Sequence, residues 1–246
     1  MEDDELMKVL VTACADVRSA LVSLDNWGLA GTRSGQYRSD LAADKAALSV
    51  LLCAGLGVLS EESGLHEADR PLLAVLDPVD GSTNASRGLP WYATSICVLD
   101  NKGPRAALVV NQASGVTYEA VRDRGARRNG SAIAPSGATE LHASIIGLSG
   151  YPKNYLGWRQ FRAFGAAALD LCAVADGTLD GYVDCGDRAH GPWDYLGGML
   201  VCMEAGAKLA ETNGEDLITR DPHDRRSPVA AATEELLEEL LERRRA

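Results

Sequence analysis

The stretch Leu76-Asp77-Pro78-Val79-Asp80-Gly81-Ser82-Thr83-Asn84 gathers two carboxylates, two hydroxyls and an amide into one short string. The apolar run Leu72 to Leu76 leads into it and reads as a short buried strand. Pro78 and Gly81 break that strand where the carboxylates appear. Hard oxygen ligands at a sheet edge suit Mg²⁺ or Mn²⁺ rather than Zn²⁺. Asp and Asn at such a place can also serve as caps for turn backbone. Acidic partners elsewhere in the chain favour the metal site.

Three such partners stand out. Glu61-Glu62 closes the short strand Gly57 to Ser60, and if that strand pairs with Leu72 to Leu76 their ends lie together. Side chains alternate across a strand, so one Glu of the pair points inward. Asp194 opens a helix in Gly191-Pro192-Trp193-Asp194-Tyr195-Leu196-Gly197-Gly198, with Trp193 as a buried anchor. Asp44 lies beside Lys45 in the first turns of a helix that Ser39 or Asp40 can cap. Taken singly, each acid has a plain structural reading as a solvated turn, a cap or a dipole partner.

Composition sets the frame. The chain has 246 residues, 46% of them apolar, enough for a substantial core in one large domain or two small ones. Lys and Arg number 24 against 35 Asp and Glu, a formal charge of −11, which argues against nucleic acid as a partner. A small anionic substrate remains compatible, because bound divalent cations invert the local sign. The cysteines at 14, 53, 97, 172, 185 and 202 form no C-x-x-C, and Cys53, Cys97, Cys172 and Cys202 sit in apolar runs. They read as small core residues of a reduced, cytoplasmic protein. The acidic start Met1-Glu2-Asp3-Asp4-Glu5 is unlike a signal peptide, and no apolar run approaches the roughly eighteen residues of a membrane span.

Apolar spacing predicts a first helix over residues 4–24 and a second from about 40 to 54. Antiparallel strands are expected at 92–99, 106–111 and 116–121, with Asn129-Gly130 ending that sheet region. A strand at 144–148, a helix from Phe161 to Asp176, a strand at 179–184 and a helix from Trp193 to Glu204 follow. Thr233 caps a last helix with Leu236, Leu237, Leu240 and Leu241 on one stripe. Strands come in runs rather than in strict alternation with helices, which gives an α+β or layered α/β fold. The composition shift near 140 divides it into an N-terminal half, 1–140, carrying the metal motif, and a C-terminal half, 141–246, completing one catalytic unit.

The order Asp44-Lys45, Glu61-Glu62-Ser63-Gly64, Asp77 to Asn84, Asn111 to Gly115, Arg128-Asn129-Gly130 and Trp193 to Gly198 with Glu204-Ala205-Gly206 resembles the inositol monophosphatase family of lithium-sensitive, magnesium-dependent phosphatases. The resemblance implies an αβαβα five-layer sandwich, a homodimer and two or three Mg²⁺ ions, with Mn²⁺ as a substitute. By position, Glu62, Asp77, the Val79 carbonyl and Ser82 resemble the ligands of one ion, and Asp77, Asp80 and Asp194 those of a second. Asp44 and Ser82 resemble the pair that activates water, with Glu62 facing a third ion. Backbone N–H groups at Gly81, Ser82 and Thr83 can grip a phosphate where a helix begins.

On the substrate side, Gly165-Ala166-Ala167 stands where the family carries Gly-Ser/Thr-Ala, so a hydroxyl is lost. Asp184, by its place after Gly181-Tyr182-Val183, or Asp187, by its distance to Trp193, matches the acid that contacts a substrate hydroxyl. Asp194 is counted with these contacts. Ala85 with Arg87 to Tyr92 resembles prokaryotic members, some of which also hydrolyse fructose 1,6-bisphosphate. The expected activity is hydrolysis of inositol monophosphate or a related sugar phosphate by metal-activated water. Fructose 1,6-bisphosphate, histidinol phosphate and 3′-phosphoadenosine nucleotides are alternatives, and an inactive metal-binding regulator is the reading outside catalysis.

Overall fold

The computed structural model describes residues 1–33 and 35–245. Helix α1 (Asp3–Val22) buries Leu6, Leu10, Cys14, Val17 and Leu21, the stripe visible in the sequence, and carries three acids in its first turn. Helix α2 (Arg38–Cys53) packs along it and buries Ala43, Ala47 and Leu51. Together they cover one face of an eight-stranded sheet ordered β2-β1-β3-β4-β5-β6-β7-β8. Its strands are β1 (Gly57–Ser60), β2 (Gly64–His66), β3 (Leu73–Asp80), β4 (Ala93–Asp100), β5 (Gly103–Asn111), β6 (Thr117–Val121), β7 (Ala126–Arg128) and β8 (Ser131–Ala132), with the short helix α3 (Ser82–Ser86) after β3. Asn129-Gly130, read as the end of this region, is the turn of its last hairpin. Both residues have positive φ, 48° and 78°, as a two-residue hairpin turn of type I′ requires.

The second sheet is five-stranded, ordered β10-β9-β11-β13-β12. It is built from β9 (Ile145–Ser149), β10 (Gln160–Arg162), β11 (Gly181–Asp184), β12 (Lys208–Glu211) and β13 (Pro228–Ala231). Helices α4 (Ala167–Ala175) and α5 (Pro192–Ala205) lie between the sheets, and α6 (Glu234–Arg245) covers the outer face of the second. The layers therefore run α, β, α, β, α. Every residue of α4 is buried, as a helix must be when both its faces meet a sheet or another helix. β12 and β13 had no clear strand pattern in the sequence; β13 is held by pairing with β11 and β12 by pairing with β13.

Two expectations are corrected. The helix read from Phe161 begins only at Ala167, and Phe161 lies in the exposed edge strand β10. Gly165, at φ 83°, breaks the run, and the Asp80 carboxylate accepts the N–H groups of Ala167 and Ala168, which fixes the helix start there. Cys53 is exposed rather than a core residue, since it ends α2 on the side away from the sheet packing.

The close approach of α4 and α5 depends on Gly198, where an added Cβ would stand 2.7 Å from the Leu171 Cβ and 2.8 Å from the Ala168 carbonyl oxygen. Gly198→Val should therefore lower the unfolding free energy by about 1–3 kcal/mol in urea titrations. An unchanged midpoint would contradict this helix contact.

Candidate active site

β1 and β3 run parallel with Ser60 opposite Leu76, so the residues that follow the two strands lie side by side. The Glu61 N–H donates to the Leu76 carbonyl at 3.1 Å, which brings Glu61 next to Asp77. β3 continues past Asp77 to Asp80 through a bulge against β4. Pro78 is tolerated because β1 stops at Ser60 and asks for no donor there. On the other side α5 opens with Asp194 in its first turn. One carboxylate oxygen each from Glu61, Asp77 and Asp194 lie within 4.8 Å of one another.

Backbone amides orient these acids. Asp77 Oδ1 accepts the Val79 N–H at 3.0 Å, and Asp194 Oδ2 accepts the Gly191 N–H at 2.7 Å. Asp80 accepts from Ala167 at 3.2 Å and Ala168 at 2.7 Å. Asp194 therefore caps the start of α5 and lies in the carboxylate cluster at the same time. Asp77 and Asp194 each spend one oxygen on the backbone and retain another for a ligand.

Crowding of like charge in a dry place raises these carboxyls. Burial, then the neighbouring Asp194, pushes Glu61 up to about 8. Burial and Asp194 push Asp80 up to about 7, against the pull of the α4 amides. Burial and Glu61 drive Asp77 well above the usual carboxylate range. An all-oxygen set of converging carboxylates, with the Val79 carbonyl and Ser82 hydroxyl adjacent in the chain, fits a hard divalent cation and fits neither Zn²⁺ nor a thiolate-bound metal. A cation there replaces the protons that relieve the repulsion.

Two of the expected site residues have other partners in the structure. Glu62 does not join the cluster. Its Oε2 pairs with the Arg33 guanidinium at 2.6 Å and accepts from the Gln36 amide, which turns it toward the loop before α2. Glu61 takes the inward place, as the register Ser60–Leu76 dictates. Asp44 is likewise occupied, accepting the Ser60 hydroxyl at 2.5 Å, while Ser60 Oγ accepts the Glu62 N–H at 3.1 Å. Asp44 thus braces the Glu61-Glu62 turn. Asp40, one turn earlier, adds its charge to those of Asp194 and the neighbouring acids that bear on Glu61 and Asp77. Burial, with the Glu62 charge against the Tyr37 amide, raises Asp40 to about 6. Asp40 had been read only as a cap, and it is one, accepting the Tyr37 N–H at 2.8 Å.

The phosphate-side residues gather on α3. Gly81 has φ 85°, and a Cβ there would meet the Trp91 carbonyl at 3.0 Å and Ala166 Cβ at 3.1 Å, so Gly165-Ala166 packs directly on the turn. Asn84 Nδ2 donates to the carbonyls of Trp91 at 2.8 Å and Phe164 at 2.7 Å, stitching the same contact. Ser82 begins the helix, and Thr83 Oγ1 shares a hydrogen bond of 3.3 Å with the Tyr37 hydroxyl. Asp184 is fully buried at the end of β11, and its Oδ2 has no hydrogen-bond partner. Asp187 is exposed on the loop beyond, which leaves Asp184 as the inward acid.

His190 was missed in the sequence and joins these parts. Its Nδ1 stands 3.4 Å from Asp194 Oδ2 and its Nε2 3.8 Å from Asp184 Oδ1. Burial opposes the imidazolium, yet the bond and charge of Asp194, with Asp184 and Asp80, lift His190 to about 9. A lone His in a loop of uncertain length carried no signal of this.

Comparison with known proteins gives the family. The model of the inositol monophosphatase family matches residues 42–246. A fructose-1,6-bisphosphatase/inositol-1-monophosphatase of Archaeoglobus fulgidus is 32% identical, covering 98% of this chain and 99% of that protein. The Nus factor SuhB of Escherichia coli is 34% identical over 64% of this chain and 63% of its own length. A Pyrococcus horikoshii structure described as having similarities for inositol-1 monophosphatase superposes with a TM-score of 0.89 at 27% identity, covering 98% of both chains. The chain belongs to the inositol monophosphatase family. It is a metal-dependent phosphatase, a phosphoric monoester hydrolase.

Glu61→Gln should abolish high-affinity divalent-cation binding in calorimetry, and Glu62→Gln should retain it; the reverse order would restore the original assignment. The raised carboxyls also fix a pH dependence. Protonated Glu61 and Asp80 add full stability below their ordinary values of 4.5 and 3.8, and lose it as pH rises through about 8 and about 7. Thermal unfolding of metal-stripped protein should therefore fall in temperature across that window, and saturating Mg²⁺ should restore it. A metal-free melting temperature that climbs from pH 5 to pH 8, about the span between those values, would count against the cluster.

Proposed function

We propose that the chain hydrolyses the monoester of a small inositol or sugar phosphate with two or three Mg²⁺ ions held by Glu61, Asp77, Asp80 and Asp194, the Val79 carbonyl and Ser82. The observation that carries this reading is the convergence of the Glu61, Asp77 and Asp194 carboxylates within 4.8 Å at the opening of α3. When bound, divalent cations stabilise charge on the transferring phosphoryl group and lower the pKa of the attacking water. Mn²⁺ satisfies the same oxygen set.

The chain's own residues supply the rest. Asp44 with Ser82 is the pair that the family resemblance gives for activating the water, and Asp40, raised to about 6 mainly by burial, adds its charge beside the same carboxylates. Ser82 orients the same water through its hydroxyl. The N–H groups of Ser82 and Thr83 open α3 with no acceptor within the helix and receive phosphate oxygens. The unpartnered Asp184 Oδ2 accepts a hydroxyl of the leaving alcohol, which removes the cost of leaving that oxygen bare. Ala166, with no hydroxyl of its own, offers only shape beside it. Fructose 1,6-bisphosphate is the second candidate substrate, on the strength of the Archaeoglobus relative's name.

A homodimer is the assembly this reading expects. Exposed Tyr151, Tyr155 and Phe161 around edge strand β10 are consistent with one, and sedimentation equilibrium reads it directly.

Phosphate release across a panel of inositol, fructose and adenosine phosphates should require Mg²⁺ and cease in EDTA. Asp80→Asn should cut kcat by about 10³-fold or more while the protein stays folded. Turnover that persists in EDTA would sink the metal mechanism, and silence on every phosphoester would favour a non-catalytic role.

A further inference from the structure

Away from the carboxylate cluster, a cavity of about 410 Å³ opens between the end of α6, the segment around Lys153, and the turns that follow β11 and β12. Lys153, Arg243, Arg244 and Arg245 line it, against one acid, Asp187. That concentration of positive charge stands out in a chain of formal charge −11. Arg243 reaches Glu239 at 3.7 Å. Among the described residues, no carboxylate pairs with Lys153, Arg244 or Arg245.

The two guanidinium groups are nevertheless fixed. Arg244 donates from Nε to the Asp184 carbonyl at 3.0 Å and from Nη2 to the Gly186 carbonyl at 2.8 Å. Arg245 Nε donates to the Thr212 carbonyl at 2.6 Å. These acceptors are neutral backbone carbonyls that orient the groups; the Arg244 charge also draws on the nearby Asp184 carboxylate, and among the described residues no carboxylate bonds either group directly. Arg244 Nη1 and both terminal nitrogens of Arg245 donate to nothing among the described residues. A basic last turn does complement the dipole of α6. The dipole accounts neither for Lys153, which comes from another segment, nor for the anchoring of Arg244 on the turn after β11.

We propose that this cavity is a metal-independent anion site that binds the phosphate of a small phosphorylated molecule. Planar guanidinium forks beside an ammonium match phosphate oxygens, and held forks lose little freedom on binding. The volume lies within the roughly 300–1,000 Å³ of small-molecule sites. The site is separate from the catalytic one, because the Asp184 side chain faces His190 whereas its carbonyl faces Arg244. An occupant therefore sits behind the turn that presents Asp184, and acts as an effector rather than as the ester being cleaved. The carboxylate cluster without its cations repels anions, so metal-free protein isolates the second site.

The test is calorimetric titration of the full chain, stripped of metal on a chelating resin, with inorganic pyrophosphate. One site per chain is expected, weakening as salt is raised. Lys153→Ala with Arg245→Ala should weaken it by at least about tenfold, the loss of two charge-assisted contacts. Lys153→Glu, a reversal at an exposed position, should do the same with the fold untouched, and Asp80→Asn should leave binding as it is. No binding to the unaltered chain, equal affinity in the Lys153 and Arg245 variants, or loss in Asp80→Asn instead would overturn the site.

Discussion

The Asp80 carboxylate, bonded to the amides of Ala167 and Ala168, is the joint on which the two sheets' contributions meet. Asp80 ends a strand of the first sheet, and the amides begin a helix lying between the sheets. A carboxylate at a helix start satisfies orphan N–H groups and the positive end of the dipole together. It also fixes where α4 begins, and so where Gly165 and Ala166 press on the Gly81 turn. Gly81 can take that contact because its left-handed backbone and missing Cβ let Trp91 and Ala166 approach. One ion–dipole contact thereby sets the spacing between the carboxylate cluster and the Gly165–Ala166 segment.

The same joint exposes a conflict between stability and function. Glu61, Asp77 and Asp80 are buried close enough to raise one another's pKa, and Asp194 adds to the crowding. A fold selected for stability alone would replace such a group with packed apolar side chains. Protons relieve the repulsion at the expense of ligand capacity, and cations relieve it while creating the site. His190 supplies positive charge nearby, and it stands between Asp184 and Asp194 rather than within the carboxylate cluster. Most of the neutralisation is thus left to the ions, which couples folding stability to metal occupancy.

Much of this was legible in the sequence. The layered fold followed from helix stripes, strand runs and the family's motif order, and Asp77, Asp80 and Asp194 were each singled out before any geometry. What the sequence leaves open lies where one residue of register decides the outcome. Glu61 and Glu62 are chemically identical, and only the pairing of Ser60 with Leu76 sends the first inward. Asp40 and Asp44 lie one helical turn apart on the same face, so periodicity does not separate them; in the structure Asp44 accepts the Ser60 hydroxyl and Asp40 accepts the Tyr37 N–H. The helix read from Phe161 failed because its start is set by Asp80, a residue distant in sequence. His190 became visible only through contacts made across the turn between β11 and α5.

These misreadings share a cause that bears on substrate choice. The first half of the chain supplies charge through short motifs, in which chemistry is written locally. The second half supplies shape, through the Gly165–Ala166 wall, the Asp184 turn and the loop carrying His190, and shape depends on packing between distant segments. The Asp184 turn is held on one face by His190 and on the other by Arg244 from the last helix. Its position therefore answers to residues that take no part in phosphoryl transfer. On the proposed reading, the carboxylate cluster can stay unchanged while the groups proposed to meet the alcohol shift, because those groups are placed by a different set of contacts.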